Sequence, residues 1–203
     1  NVAWSNSHGV LIGDFIYSKA FMLMNEIGNL KVVDELSSAT NKIAEGELMQ
    51  LENKNNLDTS LQQLKRISYY KTGRLFEASA KSAAMLSNKS TSFTENISKA
   101  AKLIGIAFQV RDDLLDYGIS KGNIGKPEMQ DILEDKITYP LYFALKSSSK
   151  KDTSRILKKI KNKDFNAEEV SDFVSSSDAF NKCNSLIQSY SNEISKCINK
   201  LSN

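Results

Sequence analysis

Apolar residues recur along this chain at spacings of three and four, the period of helices buried on one face, and no segment sustains the alternation of a half-buried strand. Breakers are few, with 2 prolines and 9 glycines in 203 residues, so the pattern predicts helix throughout. A first helix is expected over residues 9–26 and a second over about 31–51. The third is bracketed by Leu57-Asp58, an apolar residue followed by an N-cap type, and by Asn88. The fourth opens at Ser92, with Glu95 three residues on in capping-box spacing, and continues to Tyr117. A connection punctuated by Gly118, Gly122, Gly125 and Pro127 leads to a helix over 138–146. The biased stretch 146–166 keeps a helical period through Ile156, Leu157 and Ile160 and reads as exposed helix. One further helix is announced by Asn166 with Glu169, and a last runs from Asp178 towards Leu201. The fold class is all-α, and residues 1–203 form one domain with a sizeable core.

The most apolar run, residues 10–24, is shorter than the roughly 20 residues a bilayer requires and contains Asp14 and Lys19, so it reads as a buried core helix, not a transmembrane segment. No basic stretch precedes it in the manner of a signal peptide, and a cytoplasmic setting is the default. Charge adds an exclusion. Lys and Arg total 27 against 24 Asp and Glu, a net +3 with no run of five like charges, which argues against a nucleic-acid or membrane-surface protein. Cys183 and Cys197 fall 14 residues apart on one expected helix, roughly 21 Å at 1.5 Å per residue, too far for a mutual disulfide. With the single His8 they also lack the spacing of a zinc site.

The fourth helix ends in the stretch Phe108-Gln109-Val110-Arg111-Asp112-Asp113-Leu114-Leu115-Asp116. Residues four apart on a helix are neighbours, so Asp112 and Asp116 project from one face, with Asp113 about 100° from Asp112. Clustered carboxylates repel one another. A bound divalent cation explains them better than helix stability does, because Mg²⁺ takes hard oxygen ligands, and the natural partner of such a cation is a phosphate.

Two further features point the same way. The third helix carries a stripe of Leu61, Leu64, Leu75 and Ala78, and on a helical wheel Lys71 falls within about 20° of Leu64. An inward ammonium facing a metal-bound anion supplies the point charge a diphosphate needs, and Thr72 adds a hydroxyl. Downstream of the carboxylates, Lys121, Lys126 and Lys136 are spread over the glycine-containing connection, which has the composition of a loop that closes over a ligand. Gly125-Lys126 is no nucleotide-binding phosphate loop, since Ser120 stands where a glycine is needed and Pro127 where Ser or Thr is needed.

Gly13-Asp14-Phe15, Glu45-Gly46-Glu47, Lys71-Thr72, Phe108-Gln109 with Asp112-Asp113-Leu114-Leu115-Asp116, Gly125-Lys126, and Asp135-Lys136 with Pro140 occur in the order seen in trans-polyprenyl diphosphate synthases. The chain resembles that family over almost its whole length, and the bacterial octaprenyl diphosphate synthase type in particular. The resemblance implies helices around a deep central cavity, the isoprenoid synthase type I fold, and a Mg²⁺-dependent prenyltransferase. It would condense an allylic prenyl diphosphate with isopentenyl diphosphate into a long-chain all-trans polyprenyl diphosphate, a quinone side-chain precursor as in ubiquinone biosynthesis. By similarity Asp112 and Asp116 are the metal ligands, with Asp113 completing or orienting the cluster. Lys71, Thr72, Gln109, Lys126 and Lys136 contact the allylic diphosphate. The apolar residues Phe15, Tyr17, Phe21 and Met24 suit the wall of a prenyl cavity, with Phe21, Met24 and Leu36 setting product length. The family also implies a homodimer.

One departure stands out. Asp112-Asp113 is the only adjacent aspartate pair in the sequence, whereas the family carries two aspartate-rich motifs. The expectation is therefore of the middle and C-terminal portion of a longer enzyme, incomplete at both ends and inactive alone, its first motif lying just before the stretch that starts at Asn1. A non-catalytic regulatory subunit of a heteromeric synthase would also lack that motif. A class I terpene cyclase shares the chemistry but generally has a different second metal motif.

Overall fold

A computed structural model of the chain describes residues 6–54, 56, 58–117 and 130–201. Among these every regular element is helical: α1 (Asn6–Ile27), α2 (Leu30–Glu52), α3 (Leu61–Ser68), a π turn (Tyr69–Gly73), α4 (Arg74–Leu86), α5 (Thr91–Leu115), α6 (Gln130–Leu133), α7 (Tyr139–Ser147), α8 (Lys150–Asn162), α9 (Ala167–Ser175) and α10 (Ala179–Asn199).

The termini follow side-chain chemistry. Ser60 caps α3 in a capping box with Gln63, and Ser90 caps α5 by accepting from the Phe93 amide, two residues upstream of the Ser92 start that spacing predicts. Asn29, Ser149 and Asn166 cap α2, α8 and α9 in the same way. Each satisfies a backbone donor that the first turn of a helix leaves without an intrahelical partner.

α5 is the central element, packed between α4 and α10 and touching the π turn, α3 and α7. Ala100, Ala101 and Gly105 are small enough to let its neighbours close in, and Leu103, Ile106, Val110 and Leu114 are buried. One cluster joins Leu64, Val110, Leu114, Tyr139 and Cys183, and another fills the space among α7, α8, α9 and the start of α10 with Leu141, Ile156, Val170 and Val174.

Two expectations are corrected here. The third helix is not one uninterrupted α-helix, because the π turn adds a residue between α3 and α4. Side chains beyond it rotate by about 100° from the predicted wheel. Leu64 stays buried while Leu75, placed on the same stripe by a uniform period, is 49 % exposed. The second correction concerns α1. The run 10–24 is helical but has no buried residue, and Phe15 is 71 % exposed. α1 packs on α2, which leaves most of its circumference uncovered among the described residues. Hydropathy registers that a surface is apolar, not whether this chain covers it. No described helix is long and apolar enough to cross a membrane.

Candidate functional site

The C-terminal half of α5, the π turn, the end of α2 and the segment from α6 to the start of α7 converge on a cavity of about 330 Å³. Its walls carry Asp112 and Asp113 from α5, Lys71 from the π turn, Gln50 from α2, and Asp131, Glu134 and Lys136 from the segment after the glycine-containing connection.

The π turn is what presents the basic side. Lys71 Nζ donates to Gln50 Oε1 at 2.7 Å and lies 3.3 Å from Glu47 Oε1, so α2 steers the ammonium along the cavity wall. Its neighbour Thr72 donates to Gln109 Oε1 at 2.9 Å. The other end of that amide, Nε2, donates to Asp113 Oδ1 at 2.9 Å, and the second carboxylate oxygen of Asp113 accepts from the Tyr139 amide at 3.2 Å. A chain of hydrogen bonds therefore runs from the π turn through α5 to the first residue of α7.

Asp113 is 5 % exposed. Burial, opposed by the hydrogen bonds from Gln109 and Tyr139 and assisted by the charges of Asp131 and Asp112, pushes its carboxyl up to about 7. Tyr139, whose ring is buried and whose hydroxyl pairs with Ser68 at 3.0 Å, has its phenol pushed well above the ordinary value by burial. Burial alone would lower Lys136, but Glu134 at 2.6 Å and Asp131 at 3.5 Å hold its ammonium above the ordinary lysine range.

The expected residues do not all meet. Lys71, Gln109, Asp112, Asp113 and Lys136 line one cavity, and Thr72 reaches it through Gln109. Asp116 does not line it. At 2 % exposure it accepts from the amides of Gln130 and Asp131, both at 3.1 Å, and so orders the start of α6. Lys121 and Lys126, with the rest of residues 118–129, lie outside the described residues. Phe21, Met24 and Leu36 sit on α1 and α2 away from the cavity lining, Phe21 exposed and the other two half-buried.

Asp131, Glu134 and Gln50 were not anticipated. Asp131 and Glu134 belong to a stretch with no clear period. Gln50 had a usable signal, since it stands three residues after Glu47 and shares its helix face.

Could these residues hold a divalent cation? Among the described residues no three Asp, Glu, His or Cys side chains converge closely enough to bind one alone. Mg²⁺, however, is commonly held by one or two carboxylates with substrate phosphates and water completing its shell, and a cavity lined by Asp112 and Asp131 together with Lys71 and Lys136 fits that pattern. Carboxylates alone would repel a phosphate, and lysines alone would leave the aspartates unexplained.

Comparisons with known proteins give the family and the fold. The family model described as polyprenyl synthetase matches residues 1–176. Octaprenyl diphosphate synthase of Escherichia coli (strain K12) is 41 % identical over 145 residues, covering 71 % of this chain and 45 % of that protein. All-trans-nonaprenyl-diphosphate synthase (geranyl-diphosphate specific) of Rhodobacter capsulatus is 36 % identical over 148 residues, covering 73 % and 45 %. A polyprenyl synthase from Caulobacter crescentus CB15, solved in complex with calcium and isoprenyl diphosphate, superposes with a TM-score of 0.91 at 28 % identity, covering 98 % of this chain and 62 % of that one. The chain thus spans about half the length of the curated relatives it matches.

Proposed function

Because this chain belongs to the polyprenyl synthetase family, we propose that it carries the diphosphate-binding half of a Mg²⁺-dependent, long-chain trans-polyprenyl diphosphate synthase. The observation that supports this reading best is the convergence of Asp112, Asp131, Lys71 and Lys136 on one cavity, with Gln109 tying Thr72 to Asp113 beside it. The relative solved with calcium and isoprenyl diphosphate supports the same class of ligand.

In this reading Lys71, Thr72 and Lys136 grip the diphosphate of an allylic substrate, and Asp112 would hold Mg²⁺, with Asp116 supporting the site by fixing the backbone of Asp131. Mg²⁺ held there would supply positive charge to offset the charge on a departing diphosphate. The reaction breaks the allylic carbon–oxygen bond, and its electron pair leaves with the diphosphate. The double bond of isopentenyl diphosphate supplies the pair for the new carbon–carbon bond. A proton is then lost from the condensed product, with the departed diphosphate as base. Lys71 and Lys136 are already in place for the developing charge, so little reorganisation accompanies the step. Asp113, held by Gln109 and Tyr139, lines the cavity beside Asp112 and orients that end of α5.

The relatives support a long, octaprenyl-like product of the kind used as a quinone side chain. The uncovered apolar surface of α1 suits a homodimer, since exposed apolar patches of that extent mark contact surfaces. Cys183 and Cys197, both free, suit the reducing cytoplasm. The test is incorporation of labelled isopentenyl diphosphate into polyprenyl product, with farnesyl diphosphate as primer, by the protein as encoded in full. Mg²⁺-dependent products of seven or more units are expected. No incorporation, or a cyclised hydrocarbon, would overturn the reading.

A further inference from the structure

The functional reading leaves open what keeps Lys71 and Thr72 in a π turn, a geometry rarer and less favourable than the α-helix on either side of it. The answer lies in two glycines on neighbouring helices. A Cβ on Gly46 of α2 would stand 2.6 Å from the backbone nitrogen of Lys71 and 2.9 Å from Cβ of Tyr70. A Cβ on Gly105 of α5 would stand 2.6 Å from Cα of Gly73 and 3.2 Å from Cδ2 of Phe76. Both helices therefore approach the turn at backbone distance, from two sides, at the only kind of residue that permits it. The tightest contacts, at 2.6 Å, fall on the backbone of Lys71 and Gly73, both within the turn.

We infer that Gly46 and Gly105 are positioning residues for diphosphate binding, clamping the π turn so that Lys71 and Thr72 face the acidic cavity. This deepens the proposed function and rests on it. The physical reason is register. Converting a π turn into α-helix rotates the side chains on one side of it by about 100° relative to the other. Lys71 would then leave Gln50 and Glu47, and Thr72 would leave Gln109. A methyl group at either glycine must push against backbone, which has nowhere to yield except by moving the turn.

The contact pattern separates positioning from mere packing. Gly73 itself is less tightly hemmed, with a Cβ there meeting Lys102 O and Tyr69 Cδ2 at 3.2 Å and Ile106 Cγ1 at 3.3 Å. A methyl at Gly73 therefore gives a milder displacement from inside the turn.

The experiment measures farnesyl diphosphate binding with Mg²⁺ by calorimetry, in the protein as encoded in full and without isopentenyl diphosphate. Gly46→Ala and Gly105→Ala are each made in the native background and in Lys71→Ala. Each is expected to weaken binding about tenfold where Lys71 is present, the scale of one misaligned hydrogen bond to a charged group, and by a smaller factor, about threefold, where it is absent and only Thr72 is left to be misplaced. An equal factor in both backgrounds, or unchanged binding in the native one, would overturn the inference, because a general packing defect does not depend on Lys71. If both alanine variants fail to fold, Gly73→Ala is measured in the same two backgrounds under the same criteria. Should the native protein not bind farnesyl diphosphate at all, or bind it equally well as Lys71→Ala, the functional reading itself fails, an outcome distinct from the failure of the clamp.

Discussion

Gln109 and Asp113, one helical turn apart on α5, are joined at 2.9 Å by Nε2 and Oδ1, and the opposite end of the same amide accepts the Thr72 hydroxyl at 2.9 Å. The amide can serve both partners in one orientation only, since its oxygen accepts and its nitrogen donates.

Gln109→Leu removes the acceptor of the Thr72 hydroxyl and the donor to Asp113 Oδ1, leaving Asp113 only the Tyr139 amide. A loss of about 1–3 kcal/mol in denaturant unfolding is expected, the cost of orphaned polar groups in a sheltered site. Gln109→Glu should cost more at neutral pH, because it sets a carboxylate against Asp113. Equal midpoints for the wild type and both variants would contradict the arrangement.

Asp112→Ala should lower Mg²⁺-dependent condensation by about two orders of magnitude or more, with far-ultraviolet circular dichroism unchanged, because Asp112 is only partly buried and its loss opens no core cavity. Wild-type turnover in this variant would refute the ligand assignment.

Glu35 meets Arg74 Nη1 and Lys81 Nζ, each at 2.6 Å, in a network joining α2 to α4. Burial alone would raise this carboxyl, but hydrogen bonds from Lys81 and Arg74 outweigh it and hold the group below its ordinary value of 4.5. A depressed folded-state value contributes stability above about pH 4.5 that is lost as pH falls through it. Glu35→Gln should therefore flatten the acid limb of the melting curve, and Glu35→Ala should cost about 1–3 kcal/mol by removing the carboxylate that Arg74 and Lys81 share, Arg74 keeping only Glu77 at 3.3 Å. Combining Glu35→Ala with Arg74→Met should recover part of that loss in thermal melts.

Burial pushes the Cys183 thiol up to about 12. At pH 8 it stays neutral and inert, so a disulfide-exchange reagent should label neither Cys183 nor the buried Cys197 until the protein is denatured, when both react. Fast labelling of the native protein would show that α10 opens readily.

Met24→Ala tests the assignment of product length to α1. If Met24 floors the prenyl cavity in the complete protein, its truncation lengthens the product distribution seen by chromatography, and an identical distribution dismisses the role.

Much of this was legible in the sequence because helices write their own period. The all-helical class, the cap at Asn166, the start of the last helix at Asp178, and the grouping of Asp112 with Asp113 follow from local spacing, which one helix enforces by itself. The inward placement of Lys71 was legible too, since the two turns of α3 establish the face before the π turn begins. Leu75 was not, because an added residue in the ladder leaves no mark in the pattern of apolar positions. The exposure of α1 was equally silent, as an apolar face looks the same whether or not this chain covers it.

The sequence by itself determined that the elements are helices, the Asn166 cap and the chemical types gathered near the end of α5, all of which depend on residues a few positions apart. Tertiary structure alone decided that Asp131, Glu134 and Gln50 join the cavity and that Asp116 is drawn away to order α6. It also set Gly46 and Gly105 at backbone distance from the π turn. Those outcomes depend on which helices touch and how closely, and such contacts, made between residues far apart in the chain, leave no local period to read.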